Sequence, residues 1–393
     1  IICIIVMSFF LLPEVHSTIN NITLESNEMP EVYISPTLSR YLNKIKQQLD
    51  ENYDTWDFYK KYTNPYEFIH TIIPNTKCSV SKLKPLSRSF YKMIEIVNQL
   101  DLLNQYKSHD INTFHLAEGP GGFIEAIDYL RNNQQDNYHG MTLIDPDVNV
   151  PGWKKSCNFL DNHKNVVIET GVTGTGDLLE VDNLKHCYSK YNNKMEIITA
   201  DGGFDFSIDF NQQETLATKL LFAQVSFAIA MQKKGGHFVL KIFDIFTKTT
   251  SDIIYLLSTL YKQVFILKPN TSRLANSEKY IICKFFKGDK SRIMNHIIRE
   301  YPKMKTITHI SSILNFELDY YYSNKIEEYN AIFGQQQIEN INSTLTLFSC
   351  KNKNDKIESL KKNFVQKCIQ WCEKYNIPYN KVLTNHNIFL NIP

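Results

Sequence analysis

The sequence is short of the residues that hold small cross-linked or metal-bound folds together. It carries eight cysteines in 393 residues, none in a CxxC pair, and a chain of this length needs no disulfide framework. Cys368 and Cys372 share a helix face, but no second Cys/His pair accompanies them, so no metal site is expected. Charge of one sign is also missing. The 43 Lys and Arg stand against 41 Asp and Glu, a net charge of +2, which excludes a global field that would draw in nucleic acid. Any RNA or DNA site must therefore be a local patch. No apolar run reaches the roughly 20 residues of a membrane-spanning helix. The opening stretch, IICIIVMSFFLLP, is apolar for 12 residues; it resembles a signal-peptide core but lacks a basic leader and a small-residue cleavage site. We take Met7 as the true start and Ile1 to Val6 as a translation artefact. The Asn-x-Ser/Thr triplets at Asn21, Asn270 and Asn342 are what an Asn-rich chain produces by chance, not signs of secretion.

With 43% hydrophobic and 21% charged residues, the composition is that of a globular chain with one large domain plus additions, or two domains. Residues 14–55 look like an irregular or helical lead-in, and 56–108 read as mostly helical. From residue 113 short apolar runs alternate with helical patterns. The strand candidates are 113–118, 138–144, 165–169, 195–201, 235–243, 263–269 and 278–287. Such alternation predicts a three-layer α/β domain with a mainly parallel sheet. The short loop between the last two candidates makes one of them antiparallel. Residues 290–393 read as helical.

The turn Glu118-Gly119-Pro120-Gly121-Gly122-Phe123 follows the first of these strands and opens a helix. Glycines let the chain turn sharply and let a ligand approach the backbone, and the helix start offers unpaired N–H groups to an anion. The position is the ligand-binding edge of an open α/β sheet. Neither GxGxxG nor GxxxxGK[ST] is present, which disfavours a dinucleotide or a nucleoside triphosphate. A ligand with one carboxylate, such as S-adenosylmethionine, fits.

Four separated polar residues stand out. Asp201 ends the fourth strand in IITADGGFDF. Lys241 lies late in the fifth, in GGHFVLKIFD, where an inward lysine is costly without a purpose. Glu278 starts the last strand, in KPNTSRLANSEKYIICK, and Lys92 sits on an early helix, in SRSFYK, on the face of Arg88. Singly, each has an ordinary structural role open to it: a cap, a snorkelling lysine or a solvated charge. Together, SRSFYK, EGPGGF, ADGGFDF, GGHFVLKIFDIF and KPNTSRLANSEKYIICK resemble the successive motifs of the FtsJ/RrmJ-like 2′-O-ribose methyltransferases. The last three are closer to the mRNA cap 1 branch, as are NPYE at Asn64–Glu67, HGMTLI, GTGDLL and CIQWCEKYNIP.

That resemblance implies a Rossmann-like S-adenosylmethionine-dependent methyltransferase fold: a seven-stranded, mostly parallel sheet whose last strand is antiparallel, with helical N- and C-terminal additions. It divides the chain into a lead-in (1–55), a catalytic domain (56–290) and a helical extension (291–393). It makes Lys92, Asp201, Lys241 and Glu278 the catalytic tetrad. It gives the cofactor to Glu118, Gly119, Pro120, Gly121, Gly122, Phe123, Asp145, Asp177, Leu178 and Asp201. It gives the substrate to Ser87, Arg88, Asn211, Gln212, Gln213, Ser272, Arg273 and Asn276. Gly119 stands where the family more usually has Ala.

Methyl transfer to a ribose hydroxyl needs a base, because the hydroxyl is a weak acid. A lysine serves only where its pKa falls well below about 10.4, and burial beside a second cation pushes it that way. We expect Lys92 to supply that second charge, Lys241 to be the base, and Asp201 and Glu278 to orient the two ammonium groups. No metal is required. The expected substrate is the capped 5′ end of mRNA, with other capping or transcription machinery as further partners and no membrane. The expected place is host cytoplasm or virion for a viral protein and the nucleus for a cellular one. The segment around Lys77, Lys82 and Lys84 is a candidate RNA track or a solvated face. Tyr62, Tyr66, Phe90 and Tyr91 are stacking candidates or core residues. An rRNA or tRNA 2′-O-methyltransferase, a non-catalytic cap-binding module and a nicotinamide dehydrogenase are the rival assignments.

Overall fold

The computed structural model describes residues 9–27, 31–50, 53–147, 150–203, 212–350 and 353–381. Ile1 to Val6, read as an artefact above, and Asn211 lie outside them. In chain order the elements are β1 (Phe9–Leu11), α1 (Pro36–Asp50), α2 (Tyr53–Tyr59), α3 (Ser89–Leu100), β2 (Asn112–Leu116), α4 (Gly122–Arg131), β3 (Asn137–Met141), α5 (Cys157–Asn162), β4 (Val166–Ile168), α6 (Val181–Tyr191), β5 (Met195–Ala200), α7 (Gln213–Met231), β6 (Gln232–Ile242), α8 (Lys248–Leu260), β7 (Tyr261–Leu267), β8 (Lys279–Phe286), α9 (Ser291–Glu300), α10 (Tyr320–Ser349) and α11 (Lys353–Lys374).

The strands form one sheet in the order β1-β7-β8-β6-β5-β2-β3-β4. Pairings from β6 through β5, β2 and β3 to β4 are parallel. β8 runs antiparallel between β6 and β7, as the short loop before it required. This is the Rossmann-like arrangement expected, with one difference. The sheet has eight described strands, not seven, because Phe9–Leu11 adds an antiparallel edge strand on β7, with Phe10 opposite Ile266. The apolar opening stretch is thus used in part as a strand, and Leu12 and Val15 beyond it are buried in the core.

Strand alternation sends successive residues to two different cores. Ile198, Ala200, Phe238, Leu240 and Ile281 pack with α6 to α9 and the first half of α10. Ile197, Val239, Tyr280 and Ile282 pack with α3, α4 and α11. All six residues of β5 are buried, as a central parallel strand requires. α7 is apolar all round; among the described residues it is the one helix long and apolar enough to cross a bilayer, but 78% of that window is buried inside the fold. It is a core helix. Cys368 and Cys372 are buried packing residues of α11, beside Trp371.

Residues 56–108 depart from the helical pattern read above. Only Ser89–Leu100 is a regular helix after α2; the rest is turns and short 3-10 segments. Pro65, Pro74 and Pro85 interrupt it, each missing an N–H and disfavouring a helical residue before it, and Asn75 takes a positive φ of 67°.

Two histidines of the sheet are neutral in the fold. Burial, with Lys190 next, pushes His139 down to about 4, and burial, with Lys284 next, pushes His237 down to about 3. In the unfolded chain both titrate near 6.5, so below that pH the unfolded state binds more protons and stability falls with pH. Between pH 7 and pH 5 the loss should be about 2 kcal/mol per histidine, read as a lower urea midpoint. His237→Gln should shrink that drop.

Candidate active site

Strand register assembles the polar cluster. Ala200 pairs with Leu240, so Asp201, the next residue, emerges beside Lys241. Lys241 in turn sits opposite Tyr280, and Glu278 precedes β8 on the face of Tyr280, two residues along. All four lie where the parallel strands end, on the side of the sheet covered by α3. Lys92 reaches the same point from α3, its stem buried and its ammonium at the polar end.

The Lys92 Nζ lies 2.6 Å from Glu278 Oε1. The Lys241 Nζ donates to the Asp201 carbonyl at 2.6 Å and lies 3.4 Å from its Oδ1. Tyr280 ties the pairs together: its hydroxyl is 2.9 Å from Asp201 Oδ1 and 3.3 Å from Glu278 Oε1, and accepts from Lys92 at 3.5 Å. Ser272 donates to Glu278 at 2.9 Å. Burial pushes Lys92 down, with Glu278 and Asp201 acting against it. Burial alone would raise Glu278, but Lys92 and Lys241 hold it well below the usual carboxylate range.

The segment between β7 and β8 is fixed by charges that sequence reading did not single out. Glu95, fully buried on α3, accepts from Asn270 N and Nδ2 at 2.9 and 2.6 Å and from Thr271 N and Oγ1 at 3.1 Å each. Lys268 donates to the Asn276 carbonyl and side chain and to the Glu278 carbonyl. Glu67, in NPYE, takes Arg273 in a two-pronged pair at 3.0 and 2.6 Å. Burial would raise Glu67, but Arg273 brings it down to about 2. Beside it, burial and the Arg88 charge push His70 down to about 4.

A cavity of about 650 Å³ opens over this cluster. One end runs under the glycine turn along Ala117, Gly119, Leu143, Asp177 and Leu178, passes Asp201, Lys241 and Glu278, and continues to Gln213, Arg273 and Asn276. Gly121 adopts φ +100° as the residue before α4, a conformation that favours glycine. A Cβ on Gly119 would lie 2.8 Å from the Gly152 Cα, so the wall is closed to a side chain there. The cradle fits an elongated ligand with a carboxylate at the α4 end and a planar ring between Leu143 and Leu178.

Several expected contacts fall elsewhere. Within the turn, Gly119 lines the cavity but Pro120, Gly121 and Gly122 do not; Gly122 abuts the Ser87 and Ser89 hydroxyls. The Glu118 side chain turns into the core and accepts from Thr199. Phe123 is buried against Tyr280, ring centres 6.0 Å apart. Asp145 points outward and accepts from the Asp147 N–H, leaving Thr142 and Leu143 as the wall. Ser87 bonds to Ser89, Arg88 donates to the Thr271 carbonyl, and Gln212 is exposed. Phe90 and Tyr91 are core residues. Tyr280 was missed although its spacing from Glu278 in EKY puts both on one strand face. Glu95 gave no signal beyond a charge on an otherwise apolar helix. Among the described residues no group of three or more His, Cys, Asp or Glu is placed to hold a metal.

The model of the FtsJ-like methyltransferase family matches residues 85–286. Over 330 residues the chain is 28% identical to cap-specific mRNA (nucleoside-2′-O-)-methyltransferase 2 of Danio rerio, covering 80% of this chain and 43% of that protein. It is 30% identical over 264 residues to cap-specific mRNA (nucleoside-2′-O-)-methyltransferase 1 of Mus musculus, covering 64% and 31%. To the methyltransferase 1 of Trypanosoma brucei brucei it is 28% identical over 250 residues, covering 61% and 66%. The chain thus spans from 31% to 66% of the length of these relatives.

Removing the Glu95 carboxylate would strand donors of Asn270 and Thr271. Glu95→Ala should lower unfolding free energy by about 3 kcal/mol, measured by chemical denaturation. Glu95→Gln, which keeps an acceptor oxygen, should lose less.

Proposed function

The chain belongs to the FtsJ-like methyltransferase family, and from that premise we propose that it methylates the ribose 2′-oxygen of the cap-proximal nucleotide of mRNA, forming cap 1, with S-adenosylmethionine as methyl donor. The observation that carries this is the meeting of Lys92, Asp201, Lys241 and Glu278 in one cavity that also runs under the glycine turn. Residues 56–290 would carry the reaction, with the terminal segments as additions. The names of the curated relatives support the capped substrate. Those relatives are cellular proteins, which favours a nuclear place of action over a virion.

Held along Gly119, Leu143, Asp177 and Leu178, the donor supplies an electrophilic methyl group. The remaining work belongs to this chain. Lys241 lines the cavity and Lys92 does not, so Lys241 is the amine that reaches the substrate and takes the hydroxyl proton. Asp201 fixes the direction of its Nζ. Lys92 and Glu278 form a buried pair behind it, and Tyr280 keeps both carboxylates in place. A positioned base contributes roughly 10²- to 10⁴-fold, and holding the hydroxyl in line adds a larger share.

Transfer of labelled methyl to matched capped and uncapped short RNAs tests this. Label on capped RNA only is expected. Lys241→Met should lower kcat by at least about 10²-fold while S-adenosylmethionine affinity is kept. Equal label on both RNAs would move the chain to rRNA or tRNA substrates. Capped RNA already methylated at its first ribose should accept no label; label there would place the reaction on a later nucleotide.

A further inference from the structure

Past Lys241 and Glu278 the cavity continues into an outer lobe walled by Lys46 of α1, Trp56 of α2, Lys60 and Gln337 of α10. None of these lies within the family-matched residues 85–286. The N- and C-terminal additions therefore build a compartment that the matched core does not supply.

Its lining is specific. Lys46 is 7% exposed, and its ammonium is fixed 3.0 Å from Asp244 Oδ2. The other oxygen of that carboxylate faces Lys279 at 3.6 Å. Among the described residues Asp244 is the one acceptor recorded for Lys46, and an ammonium has three donors. Buried, charged and on the cavity wall, it has N–H groups to give to an anionic oxygen. Trp56 packs with Ala275 against a small cluster of Leu42, Ile45, Phe246, Ile338 and Ile341 while also lining the cavity. Gln337 donates to the Ala275 carbonyl at 2.9 Å and so holds that wall against α10. An indole braced by packing, beside a buried ammonium, suits a flat heterocycle joined to a phosphate.

We propose that this outer lobe binds a nucleoside phosphate adjoining the reacting ribose, with its base stacked on Trp56 and a phosphate oxygen on Lys46. The inference rests on the ribose-methylating function proposed above. Two parts of the substrate carry this chemistry: the capping guanosine across the triphosphate bridge, and the next transcribed nucleotide.

Steady-state methylation of the dinucleotide GpppA and the trinucleotide GpppApG, by wild type, Trp56→Leu, Trp56→Phe and Lys46→Met, decides between them. Trp56→Leu should raise KM about tenfold, the scale of one base–aromatic stack, with cofactor affinity unchanged, and Trp56→Phe should restore most of it. Lys46→Met should raise KM in the same substrates. A rise already present with GpppA assigns the lobe to the capping guanosine. A rise confined to GpppApG assigns it to the next nucleotide. Unchanged KM for both in Trp56→Leu and Lys46→Met overturns the proposal and leaves the methyl transfer standing. Tryptophan fluorescence separates the two questions. Saturable quenching by either compound, lost in Trp56→Leu, supports the lobe even if wild type methylates no RNA; quenching that survives in Trp56→Leu overturns it.

Discussion

The site depends on bringing two lysine ammonium groups out of water to one point and keeping them there. Lys92 and Lys241 repel one another, and neither would be buried without a carboxylate within reach. Glu278 and Asp201 meet that need one for one, and the Tyr280 hydroxyl joins the two pairs into a single network. Losing one member of such a buried pair costs about 3–5 kcal/mol, because the partner is left as an isolated charge. The same pairing that allows burial also fixes the direction of the Lys241 amine toward the cavity.

Around that centre a second layer of charge holds backbone rather than substrate. Glu95, Glu67 and Lys268 bind the segment from Asn270 to Glu278 by its N–H groups, its carbonyls and Arg273. A loop at a sheet edge is ordinarily a soft part of a fold. Here three buried charges tie it to α3, to the turn at Asn64–Glu67 and to its own far end, so Ser272, Asn276 and Glu278 are presented in fixed positions.

The terminal additions extend the same design outward. Residues 12 to 24 and the first half of α10 complete one core, α11 completes the other, and α1, α2 and α10 supply walls to the cavity. Packing thus couples the additions to the substrate end of the cavity, while the cofactor end is made of sheet edge and glycine turn alone.

The amino-acid sequence determined what depends on neighbours along the chain. Seven strands were legible from their runs and spacing, the antiparallel last strand from the short loop before it, and the glycine turn from the positive φ that Gly121 needs. The four charged residues were legible because each sat at a strand end or on an inward face where charge is costly. Tertiary structure decided everything that required two distant segments to meet. Phe9–Leu11 is a strand only because β7 offers an open edge. Glu95 is an anchor only because Asn270, 175 residues away, folds onto it. Glu118 and Phe123, expected at the ligand, face the core because the strand-to-helix turn presents their backbone and not their side chains. Trp56 and Lys46 line the cavity because α1, α2 and α10 close over it. Periodicity and φ preference are local properties of a chain; the burial of a charge, and the partner it finds, are properties of the packed whole.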